Sequence, residues 1–255
     1  MRKITINLAA VAAFCIVVAS PALVSSSCAT PKTEQEDTTI IREDSGITAL
    51  KYSSPEVPAS IEFCGKTIDL SRFDRHERMD RELLAFTYMH STSLQMLKKA
   101  NRYFPIVEPI LKENGIPDDF KYLMVIESNM NPTARSSAGA AGLWQFMQGT
   151  GRDYGLEVNN NVDERYHIEK ATRAACRYLK DAYAKYKDWV AVAASYNAGQ
   201  ARIASQLAKQ DVDDSLDLQQ VEETARYVYR ILAAKQLFNA PTTFGFRLRA
   251  SDLYP

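Results

Sequence analysis

An excess of basic residues is missing. Lysine plus arginine and aspartate plus glutamate both count 31, so the formal net charge is zero. Nucleic acid is therefore not an expected partner, since its binders usually present a basic surplus. Histidine is scarce, with only His76, His90 and His167. There is no CxxC pair and no cysteine–histidine cluster, so neither a metal site nor a cofactor is expected. Four cysteines in 255 residues are too few for a disulfide scaffold; Cys64 and Cys176 could pair in an oxidising compartment, but spacing alone leaves that open. Long alternating runs are absent too, which excludes a large sheet. The hydrophobic fraction of 46% and charged fraction of 24% exclude disorder over the whole length.

The amino terminus departs from this average. Arg2 and Lys3 precede an uninterrupted apolar run from Leu8 to Ala19, followed by Ser25, Ser26 and Ser27, and no acid appears before Glu34. This is the pattern of a secretory signal over residues 1–27. The run is too short to span a bilayer as a helix, which takes about 20 residues. Its removal leaves the chain slightly acidic, at −2. Cys28 follows the serines, as the acylated cysteine of a bacterial lipoprotein would, although Ser25 stands where the lipobox has an aliphatic residue. Plain secretion is the other reading. Residues 28–62 are rich in Thr, Ser, Glu and Pro, without apolar periodicity, and read as a flexible tether.

The remainder reads as mainly helical. A short hairpin is expected at Ile61–Leu70, turning at Gly65-Lys66. Helical spacing then runs from His76 to Ala100 and again over Val107–Asn114. Pro117-Asp118-Asp119 opens a third helix, with proline early and acids in the first turn. Residues 134–151 are too rich in Gly, Ala and Ser for one regular helix. Glu169–Tyr186, Trp189–Ala198, Gln200–Lys209 and Val221–Phe238 are further helical segments.

On the third helix Phe120, Leu123, Met124 and Glu127 fall at i, i+3, i+4 and i+7. Tyr122, Val125 and Ile126 cover the other sides. A carboxylate at the end of such a helix is expected to be buried, which disfavours its charged form. A general acid working near neutral pH has that property.

Residues 127–147, ESNMNPTARSSAGAAGLWQFM, resemble the signature of the bacterial lytic transglycosylases with a goose-type lysozyme-like (SLT) catalytic domain. Val162-Asp163-Glu164-Arg165 is similar to that family's VDxR stretch, and Ala174–Leu179 to its AAxYL helix. Ser195-Tyr196-Asn197-Ala198-Gly199 stands where the family has AYNAG, and Glu223–Val228 resembles its ETxxYV. Several segments in the right order over residues 115–238 make the match specific, whereas each alone would be weak. The resemblance implies a mainly α, lysozyme-like fold and cleavage of the β-1,4 bond between MurNAc and GlcNAc in peptidoglycan, leaving a 1,6-anhydroMurNAc end. It implies Glu127 as the single catalytic acid/base. Ser136, Gln145, Met147, Tyr196, Asn197, Glu223 and Tyr227 align with substrate-contacting or cleft-wall positions. Two departures stand out: Ser195 replaces alanine before Tyr-Asn, and the proline often found ahead of ETxxYV is missing.

The expected organisation is a signal at 1–27, a tether at 28–62, a helical extension at 63–110, the catalytic domain at 111–240 and a tail at 241–255. The expected partners are peptidoglycan glycan strands and a membrane reached through lipid on Cys28. A hydrolase using water, and a binding protein without catalysis, are the alternatives.

Overall fold

The computed structural model describes residues 54–255 apart from 211 and 213; the signal, Cys28 and most of the tether lie outside the described residues. Strands β1 (Ser60–Phe63) and β2 (Lys66–Asp69) pair antiparallel, with Phe63 opposite Lys66. The turn is Cys64-Gly65, one residue earlier than the sequence suggested. Both residues take positive φ, as a two-residue hairpin turn of the favoured hand requires. Asp119 secures the less usual of the two, accepting a 2.7 Å hydrogen bond from the Cys64 backbone N–H. The register buries Ile61, Phe63 and Ile68. The range 28–62 assigned to the tether therefore overlaps a packed strand.

The helical pattern expected from His76 to Ala100 divides into α1 (Phe73–Tyr88) and α2 (His90–Glu113). The break falls at Met89. The buried Ser93 hydroxyl donates to the Phe86 carbonyl at 2.6 Å, capping a group that the end of α1 leaves free. α2 then continues through Pro105 and Pro109. Each proline costs one intrahelical bond. The buried stripe of Tyr103, Val107, Ile110 and Leu111 keeps the rod helical across both. The proposed 110/111 boundary consequently falls inside one helix.

α3 (Phe120–Ser128) begins after the Pro117-Asp118-Asp119 turn rather than within it. Asp119 does not cap the helix with its side chain. It accepts from Cys64 and from Lys235, tying hairpin, α3 and the last helix together. α4 (Gln148–Asp153), α5 (Ile168–Tyr186), α6 (Trp189–Ala198), α7 (Gln200–Lys209) and α8 (Glu222–Asn239) follow, the last four within a residue of their expected bounds.

α6 is buried from Val190 to Ser195 and packs against α5, α7 and α8. α8 packs on α1 along one side and on α3 and α6 along the others. One apolar core takes residues from the hairpin, all the long helices and the segment after α8, where Phe244 and Phe246 are buried. Within residues 241–255 the Tyr254 and Pro255 carbonyls accept from Asn101 and Arg102. Cys64 and Cys176 are free: one sits at the hairpin turn, while the other is buried on α5 against the Ile110 carbonyl. Among the described residues no helix is long and apolar enough to cross a membrane.

Candidate active site

α3 is apolar nearly all round, with Phe120 and Tyr122 through Ile126 buried, and it delivers Glu127 partly buried at its last turn. The chain then leaves through Asn129 and Met130, both in the left-handed region. Burial pushes the Glu127 carboxyl up from 4.5 to about 7. The Tyr227 hydroxyl, which donates to Glu127 Oε1, and the Arg230 guanidinium act in the opposite direction, while the Glu223 charge adds to the rise. Burial and the Glu127 charge in turn hold the Tyr227 and Tyr196 phenols neutral.

These partners arrive from two helices. On α8, Glu223, Tyr227 and Arg230 stand at i, i+4 and i+7, one stripe facing α3. On α6, Tyr196 and Asn197 are partly exposed just before Gly199, where positive φ ends the helix. Asn197 spans the two: its amide donates to Glu223 at 3.3 Å, and its carbonyl accepts from Thr224 at 2.9 Å.

The opposite wall is the Gly/Ala/Ser segment. Gly142 lies so close to the Arg165 carbonyl that a Cβ would meet that oxygen at 1.9 Å. Trp144 is wholly buried and donates to Thr172 at 2.9 Å, while its backbone carbonyl accepts from Tyr196 at 2.8 Å. Gln145 adopts φ 49°, a conformation costly for a non-glycine residue. Its amide nitrogen donates to the Gly142 and Ala134 carbonyls at 2.8 and 3.2 Å. A cavity of about 280 Å³ opens here, lined among others by Gln145, Met147, Tyr178, Tyr196 and Asn197. Met147 is 45% exposed on its rim. Phe146, Tyr196 and Tyr178 line it as an aromatic row that continues to Tyr154, with centroids 6.2, 5.0 and 5.2 Å apart.

Seven of the eight expected site residues thus join in two linked groups. Glu127 forms one group with Tyr227 and Glu223, which flank its carboxyl, while Gln145, Met147, Tyr196 and Asn197 line the cavity. Ser136 is not among them. Its hydroxyl accepts from the Ala140 N–H at 3.0 Å and serves its own turn. Arg165 was missed as a contributor. It is 1% exposed, grips Asp163 through two nitrogens at 2.9 and 2.7 Å, and donates to the Gly139 and Phe146 carbonyls at 2.8 and 2.9 Å. That pins both sides of the cavity loop, and Asp163 also caps the following turn, accepting from the Arg165 backbone N–H at 3.2 Å. The Asp-x-Arg spacing was visible; its target was not. Arg230, one turn after Tyr227, was legible from helical periodicity and went unread. Among the described residues no group of three or more His, Cys, Asp or Glu side chains is arranged to hold a metal ion.

Residues 105–217 match the family model described as the transglycosylase SLT domain. Membrane-bound lytic murein transglycosylase D of Escherichia coli is 29% identical over 181 residues, covering 69% of this chain and 39% of its own. Membrane-bound lytic murein transglycosylase C of Haemophilus ducreyi is 29% identical over 150 residues, covering 53% and 40%. A structure of an inactive mutant of the lytic transglycosylase Slt from Pseudomonas aeruginosa matches 62% of this chain and 28% of its own, with a TM-score of 0.46 and 22% identity. The chain spans about two-fifths of the length of these two murein transglycosylases. Residues 105–217 form a transglycosylase SLT domain, and the chain is homologous to membrane-bound lytic murein transglycosylase D.

Proposed function

We propose that this protein is a peptidoglycan lytic transglycosylase in which Glu127 is both acid and base. The observation that carries the reading is the Glu127 carboxyl, pushed up to about 7, held by the Tyr227 hydroxyl and close enough to act on Tyr196, which lines the cavity. Near neutral pH such a group is populated in both protonation states, and each is needed once. Protonated Glu127 donates to the glycosidic oxygen, and the bond from the MurNAc anomeric carbon to that oxygen breaks. The substrate's N-acetyl group assists at the anomeric carbon. The Glu127 carboxylate then takes the proton of the MurNAc C6 hydroxyl, whose oxygen closes on the same carbon. The product is a 1,6-anhydro ring, and Glu127 is protonated again. A nucleophile already on the sugar exploits proximity, so one carboxylate suffices where ordinary glycosidases use two.

In this reading Gln145, Met147, Tyr196 and Asn197 contact the sugars. Gln145 Nε2 is already committed to backbone carbonyls, which leaves its oxygen as the group offered to a ligand. The protein would work in the cell envelope after export, tethered by lipid on Cys28.

One observation favours water as nucleophile instead: exposed Glu223 lies near enough to raise Glu127. Digestion of purified sacculi in H₂¹⁸O separates the two. Unlabelled 1,6-anhydroMurNAc ends, lighter than reducing ends by one water, support the transglycosylase. Labelled reducing ends identify a hydrolase, and intact sacculi a non-catalytic binder.

A further inference from the structure

α8 presents two neighbouring stripes. Glu223, Tyr227 and Arg230 face Glu127, and Glu222 and Arg226 face α1. On α1, Glu82 is 1% exposed, a carboxylate almost wholly removed from water. Arg226 holds it through Nε at 2.7 Å and Nη2 at 3.1 Å. Arg81 donates to the same carboxylate at 3.2 Å and to Glu222 at 2.6 Å. These helices also bury apolar Met79, Leu83 and Phe86 from α1 and Val228, Ile231 and Leu232 from α8, while the polar Thr224 and Lys235 of α8 bond to Asn197 and Asp119 rather than to α1. Apolar burial is non-directional. A buried ion pair adds little stability over an apolar pair of the same shape, but a bidentate guanidinium–carboxylate contact has direction.

Direction matters here because Arg226 immediately precedes Tyr227. A side-chain tip lies about 5–6 Å from its helix axis, so a rotation of about 10° moves it by roughly 1 Å. That is enough to break a hydrogen bond. We propose that Glu82 is a positioning residue for the active site: through Arg226 it fixes the rotation of α8 and so keeps the Tyr227 hydroxyl on Glu127. Glu82 and Arg226 both lie outside the residues matched by the SLT model. The helix α1 is thus a working part of the site rather than an appendage. The inference rests on the reading of Glu127 as the acid.

Glu127 is faced by Tyr227, Arg230 and Glu223 from α8 and by Tyr196 from α6. Carboxyl ¹³C NMR follows its titration without needing any activity. Glu82→Gln and Arg226→Lys are compared with wild type, each first shown to melt cooperatively. Removing the Glu82 charge would by field alone lower the Glu127 midpoint, and Arg226→Lys leaves the net charge unchanged. Loss of the tyrosine donor raises the midpoint instead. The expected result is a rise of about half a unit or more in both variants. On sacculi, kcat should fall several-fold while KM stays within about twofold. A midpoint that is unmoved or lowered in either folded variant overturns the proposal. Wild-type protein inert on sacculi would count against the transglycosylase reading and leave the NMR test of Glu82 standing.

Discussion

Replacing Glu127 by glutamine should abolish turnover and, above neutral pH, stabilise the protein. The side chain keeps its shape and can still accept from Tyr227, but it cannot carry a proton. General acid–base catalysis is worth about 10²–10⁴-fold. With one group serving both steps, loss at or beyond the upper end is expected. The stability effect follows from the same burial. The folded-state carboxyl titrates at about 7 against 4.5 for the free group. Between those values the folded protein binds more protons than the unfolded chain, so wild-type stability falls as pH rises through that window. The stabilisation is complete below about 4.5, and its loss is complete above about 7. The displacement corresponds to roughly 3 kcal/mol. Glutamine does not titrate, so the variant escapes this loss. Wild type and Glu127→Gln should melt alike near pH 4, and the variant should melt about 5–10 °C higher at pH 8. Thermal denaturation of both across that range is the assay. A difference in melting temperature that does not change with pH would refute the burial argument, whatever happens to turnover.

Tyr227→Phe removes the hydroxyl that favours the Glu127 carboxylate. A hydrogen bond to a charged group is worth about 1.5–3 kcal/mol, so the alkaline limb of kcat/KM should move up by about 1–2 pH units; a limb that stays in place would detach Tyr227 from the acid. Arg165→Met takes the guanidinium from Asp163 and orphans the Gly139 carbonyl, and should cost about 3–5 kcal/mol in urea denaturation. Gly142→Ala drives a methyl into the Arg165 carbonyl, 1.9 Å away, at a positive φ. It should destabilise by more than about 1 kcal/mol and weaken sacculus binding in a pull-down. Thr172→Val strands the buried Trp144 N–H, with an expected loss of about 1–3 kcal/mol by the same denaturation.

What the sequence determined by itself was local or periodic. The stripe ending in Glu127 implied a buried carboxyl, because helical spacing alone decides which residues share a face. The four helices from α5 to α8 were legible to within a residue for the same reason, and the glycine content of 134–151 excluded a regular helix there. The family motifs supplied Tyr196, Asn197, Glu223 and Tyr227 without any geometry.

Tertiary structure decided what depends on partners distant in the chain. The break at Met89 rests on a hydroxyl seven residues from the carbonyl it caps. The passage of α2 through two prolines rests on the burial of its apolar face. Asp119 looked like a helix-opening acid and instead ties the hairpin to α8. Asp163 belongs to a recognisable Asp-x-Arg stretch, but that it holds a buried arginine appears only in the packed structure. Ser136 aligned with a ligand contact, and the fold adds that its hydroxyl accepts from the Ala140 N–H of its own turn. A polar side chain shows its residue type in the sequence, but its role is set by which donor or acceptor folding brings within about 3 Å. For Glu127, the sequence carried the burial that raises its pKa. The tyrosine that tempers the rise lies 100 residues away on a helix whose orientation only the packed structure defines.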